Sequence, residues 1–219
     1  VYPFSGSIDG NNKTLTVPEG GKPLLGYVNG AEVKNLNIYG EKINGYGLVN
    51  DLHGVNLSGS AIVIDNVALK SGSSTLKSGL IGAEIDKRFN SYAGASAGFT
   101  VTVRNCTIEK DVVVGYDGTQ SEIGSIAGRM QGTVENCVSY ATVKGVHYVG
   151  GIIGTKDNAL GDCTVNNCTF GGTVEASGNN AGGIVGGGYN DSSAPNGIHV
   201  GVKNCAVTKD VAVSGKENV

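Results

Sequence analysis

The sequence predicts an all-β chain, wound as a right-handed parallel β-helix of about six three-strand coils with an N-terminal cap. Three observations carry that expectation. A Val-x-Asn phrase, with Ile64 for Val once, recurs six times and places its asparagine at Asn35, Asn66, Asn105, Asn136, Asn167 and Asn204. A Gly-flanked aliphatic pair also recurs six times, led by Leu24, Leu48, Leu80, Ile126, Ile152 and Ile184, and the two phrases alternate strictly. No window holds apolar residues at sustained helical spacing, and 37 glycines are too many for stable helices. A near-fixed period is the mark of a stacked repeat architecture. Strands that return about every 31 residues without an intervening helix must pile up in register. At ~4.8 Å per strand, six coils rise about 30 Å.

The opening stretch, residues 1–20, lacks both phrases and reads as the cap, turned at Asp9 to Asn12. An uncovered strand edge and apolar core need such a cover. Residues 21–219 hold the coils, so the chain is one domain. Apolar residues fall two before the asparagine and one after it, as at Val33 and Leu36, and three after it at Ile38, Leu69, Ile108, Phe170 and Val207. Alternation breaks at the asparagine, so the chain bends there, and asparagine tolerates the left-handed conformation of a sharp corner. Stacked asparagines can also bond from coil to coil. A third strand lies seven to nine residues further on, at Val112 and Val114, Val143 and Gly145, Val174 and Ala176, and Val211 and Val213.

The slot after the asparagine holds Leu36 and Val67, then Cys106, Cys137, Cys168 and Cys205. It is an apolar interior slot, so these cysteines are expected to be buried free thiols. Parallel side chains disfavour a disulfide even at short Cα spacing. Cys163 falls outside the slot and reads as a loop residue before Val165. No metal-ligand spacing appears, and no cofactor is expected.

The asparagine spacings are 31, 39, 31, 31 and 37 residues, so two coils carry long insertions, at 84–100 and 187–199. Both leave the same corner and project from one side. They bring Arg88, Phe89 and Tyr92, then Tyr189, Asn190, Asp191 and His199. Insertions on one face of a repeat array are often its binding face, so these seven are the candidate ligand-binding residues.

Net charge −3 offers no reason to expect nucleic acid or an anionic membrane as partner. No apolar run of about 18 residues is present, so membrane insertion is not expected. The final Lys216-Glu217-Asn218-Val219 resembles the lead-in to a further aliphatic phrase, and the chain reads as a monomeric segment of a longer protein.

The phrases Gly150-Gly151-Ile152-Ile153-Gly154 and Gly182-Gly183-Ile184-Val185-Gly186 resemble the Glug motif of bacterial surface proteins, which include the non-catalytic part of some immunoglobulin A peptidases. The opening Phe4-Ser5-Gly6-Ser7-Ile8-Asp9-Gly10-Asn11 is similar to the start of such regions. Asn50 replaces a closing glycine, and Ser125 replaces the glycine before Ile126. The resemblance implies an extracellular, surface-attached stalk or adhesin-like segment with a host glycan or surface protein as partner. No His-Glu-x-x-His is present, so no peptidase activity carries over.

Enzymatic readings require more than the residues provide. A polysaccharide lyase or hydrolase needs paired carboxylates, calcium ligands or a basic residue clustered on one face. Asp111 and Asp210 share a turn-like slot, while His53, His147 and His199 and Arg88, Arg104 and Arg129 are scattered. The expected role is non-enzymatic. The alternatives are a carbohydrate-binding module using the two insertions, then a lyase or hydrolase fragment.

Overall fold

The computed structural model describes residues 4–52, 61–82, 100–156, 162–188, 200–208 and 210–216. Among them every regular element is a strand, and the pairings between strands are parallel. The strands form sheets of twelve, five, three and three members. One repeat shows how the sequence makes them. Ala127–Met130 is followed by Gly132–Glu135, Val138–Ser139, Thr142–Gly145 and Val149–Gly150. Each pairs with its counterpart in the next repeat: Ala127 with Ile153, Val134 with Val165, Val138 with Thr169, Val143 with Val174 and Val149 with Ala181.

In this repeat five short strands therefore stand where the sequence suggests three, whereas Leu25–Tyr39 and Ala61–Leu69 run through their asparagines as single strands. The reason is local. Each phrase contains its own corner, and a corner interrupts pairing. At the asparagine phrase the corner is the asparagine itself. Asn35, Asn66, Asn105, Asn136, Asn167 and Asn204 all adopt φ between 51° and 55°. A residue with a Cβ enters that region at a cost of roughly 1–2 kcal/mol, least for asparagine. The side chains also link the repeats. Asn66 Nδ2 donates to Asn35 Oδ1 at 2.8 Å and Asn167 Nδ2 to Asn136 Oδ1 at 2.8 Å. Asn105 and Asn204 donate instead to the residue before the asparagine of the preceding repeat, Asp65 at 2.7 Å and Asn166 at 3.2 Å.

The opening segment is more than a turn. Phe4–Thr16 is a strand that pairs in parallel with Leu25–Tyr39, placing Ile8 on Val33 and Leu15 on Ile38. Its register shifts between Asp9 and Lys13, where Asn11 and Asn12 take φ of 48° and 57°. Asp9 accepts from the Asn11 backbone N–H at 2.9 Å, which fixes this wider corner.

The inward positions are those the repeat implies. Val33, Ile64, Val103, Val134 and Val165 are at most 1% exposed, and Cys106, Cys137 and Cys168 are 0% exposed. Each fully buried aliphatic side chain contributes about 1.5–3 kcal/mol. Ser139 holds one inward slot between Ile108 and Phe170, the largest fully buried side chain. The aliphatic phrase brings backbones together most closely. The Gly79 N–H donates to Gly124 O and the Gly151 N–H to Gly182 O. A Cβ on Gly79 would lie 1.7 Å from Ser125 O, and one on Gly151 would lie 2.0 Å from Gly183 O and 2.5 Å from the Phe170 ring. These glycines are required by approach, not by backbone angle.

Outward residues pair along the stack. The position before each asparagine of the repeat forms a column in register, Lys34, Asp65, Arg104, Glu135, Asn166 and Lys203, with Asp9 of the opening strand aligned on Lys34. Charge alternates along it except at Asn166. Arg104 Nε donates to Asp65 Oδ2 at 2.8 Å. Burial pushes the Asp65 carboxyl up, but hydrogen bonds from Asn105 and Arg104 outweigh it and hold the group below its usual range. Glu109, buried in part but bonded to Lys70 and to the Ser71 N–H, is lowered likewise.

Two outcomes are expected. Gly151→Ala should lower stability by about 1–3 kcal/mol through overpacking, read as a shifted urea midpoint; an unchanged midpoint would contradict the close approach. Because the folded pKa of Asp65 is depressed, its contribution is fully present above about pH 4 and is lost as pH falls through the folded value. Asp65→Asn should therefore be less stable than the parent at pH 7 and should show a shallower loss below pH 4, measured by denaturant titration across that range.

Candidate functional site

A second left-handed corner recurs four residues before the aliphatic leads Ile126, Ile152 and Ile184. Its occupants are Glu122, Tyr148 and Asn180, with φ of 61°, 56° and 66°. Only Asn180 advertises the conformation in its residue type, so the corner is not legible as a repeat in the sequence. At this corner lies a small, partly open cleft lined by Tyr46, Lys77, Gln120, Ser121, Glu122, Ile123 and Arg129.

The cleft is built from three successive repeats. Tyr46 precedes the phrase at Leu48 and is 7% exposed. Gly82 leaves room for its ring, since a Cβ there would come within 2.2 Å of Tyr46 Cζ. Lys77, one repeat on, holds its ammonium 5.3 Å from the centre of that ring, within cation–π range. Arg129 grips Glu122 through both forks, Nε to Oε2 at 2.6 Å and Nη2 to Oε1 at 2.7 Å. A bidentate guanidinium–carboxylate pair fixes both groups in one plane. The site offers an aromatic face, amide and hydroxyl groups and two cations beside one carboxylate. Such a surface suits a small polar ligand.

The seven residues singled out in the sequence, Arg88, Phe89, Tyr92, Tyr189, Asn190, Asp191 and His199, lie outside the described residues, as does His53. The residues flanking the two insertions are described. Gly82 and Thr100 bound one, Gly187 and Val200 the other, and in both cases the chain passes from the sheet of the aliphatic phrase to that of the asparagine phrase. Of the other scattered candidates, Asp111 has φ 62° and is a turn residue. His147 Nδ1 accepts from the Asn179 N–H at 3.0 Å, a link between repeats. Among the described residues no group of three or more His, Cys, Asp or Glu could hold a metal ion. No helix among them is long and apolar enough to cross a membrane.

No family model matches the chain, and no curated protein matches it. A solved structure does. The crystal structure of a putative immunoglobulin A1 protease from Bacteroides ovatus superposes with a TM-score of 0.59 at 18% identity, over 96% of this chain. This chain spans 61% of the length of that one. At such identity the likeness is one of fold. The absence of a family match leaves the Glug-like motif resting on the residues alone.

The cysteines form a column of their own. Cys106, Cys137, Cys168 and Cys205 are free, and each thiol donates to the backbone carbonyl two residues before it, at 3.2 to 3.4 Å. The neighbouring Cys106 thiol, with burial, holds Cys137 well above the ordinary thiol range. The Cys137 thiol and burial do the same for Cys168. Cys163 departs from the sequence reading. It opens the strand Cys163–Asn166, is 1% exposed and stands in register with Gly132 and Val200. It lies four residues before its asparagine, as do the buried Ala31, Ile62 and Val101. This is a further inward slot, hidden in the sequence because Gly132 interrupts it. Burial pushes the Cys163 thiol up to about 12, with Lys156 acting against it.

A thiol sealed from solvent cannot meet a reagent in solution, whereas a part-exposed one can. In the native protein at pH 8, a disulfide reagent should modify Cys205, which is half-buried, and leave Cys106, Cys137, Cys163 and Cys168 unreacted until denaturant is added. Release of more than about one equivalent of chromophore from the folded chain would contradict the sealed column.

Proposed function

We propose that the chain is a right-handed parallel β-helix of about six coils and serves as a non-catalytic module of a bacterial cell-surface protein, a structural stalk or adhesin-like segment. The observation that carries this reading is the use to which polar side chains are put. Asn35, Asn66, Asp65, Arg104, Lys70 and Glu109 bond from one repeat to the next. Glu122 and Arg129 lock each other. Groups that a hydrolase would leave poised are here committed to holding the stack. The Glug-like phrases and the shared fold with the Bacteroides structure support an exported, surface-attached setting.

The second reading, a carbohydrate-binding module, is favoured by the placement of the two insertions, which join the same pair of sheets. Their aromatic residues, Phe89 and Tyr92 in one and Tyr189 in the other, suit stacking on sugar rings.

Three assays separate these readings. Incubation with immunoglobulin A1 should leave the antibody chains intact, and incubation with mixed polysaccharides and calcium should release no reducing or unsaturated ends; cleavage of either would end the non-catalytic reading. On a glycan array, loss of signal in a Phe89→Ala/Tyr92→Ala variant would favour the binding module, whereas an array silent with the parent chain would favour the stalk.

A further inference from the structure

Three polar side chains are buried at one corner of the stack. Lys156 is 5% exposed, Gln131 6% and Cys163 1%. Lysine is almost never fully buried unless paired, yet no carboxylate among the described residues forms an ion pair with Lys156. Gln131 Oε1 is buried with no hydrogen-bond partner among the described residues.

Strand register brings the three together. Met130 aligns with Lys156 and Gly132 with Cys163, and Gln131 is the single residue between Met130 and Gly132. Two residues of chain span about 7 Å at most. Lys156 and Cys163, each one strand spacing beyond, are therefore similarly close, although residues 157–162 intervene in sequence. Met130 is 0% exposed, so its partner Lys156 starts from an inward slot, as Cys163 does. A lysine side chain, with its four-carbon stem, covers such a gap. The two groups also act on each other: burial raises the pKa of the Cys163 thiol and Lys156 opposes the rise.

We propose that Lys156 and Cys163 form a covalent modification site, at which dioxygen joins Nζ to Sγ through one bridging oxygen. The thiol adds dioxygen: an S–O bond forms and the thiol proton moves to the outer oxygen. The neutral amine then attacks the sulfur-bound oxygen. An N–O bond forms, the O–O bond breaks, and the outer oxygen leaves as water, with its own proton and one from the amine. Sulfur and nitrogen are oxidised and dioxygen is reduced, with no other reactant. The product keeps one N–H, a donor for Gln131 Oε1. Dioxygen is small and apolar, so it enters an interior that excludes polar reagents. The link closes residues 157–162 into a loop, which lowers the entropy of the unfolded chain. This inference rests on strand register and burial and is independent of the surface role proposed above.

The test starts from chain purified with reductant, then held in air-equilibrated or oxygen-free buffer, and reads intact mass and the thiol count in denaturant. In air the mass should rise by one oxygen less two hydrogens, and four of the five cysteines should titrate. Without oxygen neither reading should change, and dithiothreitol should reverse both. Cleavage of the aerated chain before Asp157 and before Asp162 should leave the peptides that carry Lys156 and Cys163 joined. Cys163→Ser and Lys156→Met should each abolish the mass shift, and Cys205→Ser should leave it. Lys156→Arg keeps the charge and should abolish it too, with circular dichroism checking the fold of every variant. An unchanged mass with five free thiols, a gain of oxygen without loss of hydrogen, a loss of two hydrogens alone, or a shift that survives Lys156→Arg would each overturn the proposal.

Discussion

The fold depends on backbone meeting backbone at close range, repeat upon repeat. Parallel strands can satisfy their N–H and C=O groups only if each layer repeats the path of the one before it. That demand is met at corners where a residue must accept φ near +55° and yet carry a side chain. Asparagine does both, and its amide reaches the neighbouring layer, as Asn66 reaches Asn35. A glycine could turn the corner, but it would leave the layers joined there by backbone alone.

The interior follows from the corner. Once the asparagine fixes the bend, the positions two before it and one after it point inward, and volume decides the rest. Small thiols fill the slot after the bend from Cys106 on, where each S–H finds the carbonyl two residues before it. Ser139 accepts the Ala141 N–H and so is not an unsatisfied polar group. Ser73, also buried, accepts from Gly40. Gln131 differs, because its Oε1 is buried without a partner.

What could be read from the sequence was whatever the repeat wrote in residue type. The asparagine corners, the inward slots of Val134 and Cys137, and the strand at Val143 were legible because the same chemistry returns at the same offset. The corner at Glu122 and Tyr148 was not, because its geometry returns while its residue type does not. Cys163 was misplaced because its slot holds Ala, Ile, Val, Gly, Cys and Val in turn, a set without a signature. The cleft was invisible for a related reason. Tyr46, Lys77 and Arg129 come from three layers and share no motif, and only stacking brings them together. The insertions holding Phe89 and Tyr189 were legible as departures from the period, but their chemistry lies outside what periodicity can encode.

The uneven spacing of the asparagines has a consequence for how such a chain can change. Asn66 to Asn105 is 39 residues and Asn136 to Asn167 is 31, yet Val103 sits on Ile64 as faithfully as Val165 sits on Val134. The surplus length is discharged entirely between Gly82 and Thr100, and the columns on either side register nothing of it. Loop closure entropy grows only logarithmically with length, so a longer excursion there costs the scaffold little. Variation at that junction is thereby insulated from the demands of folding, and sequence can be tried, lengthened or exchanged on one flank while the column of thiols beside it stays sealed.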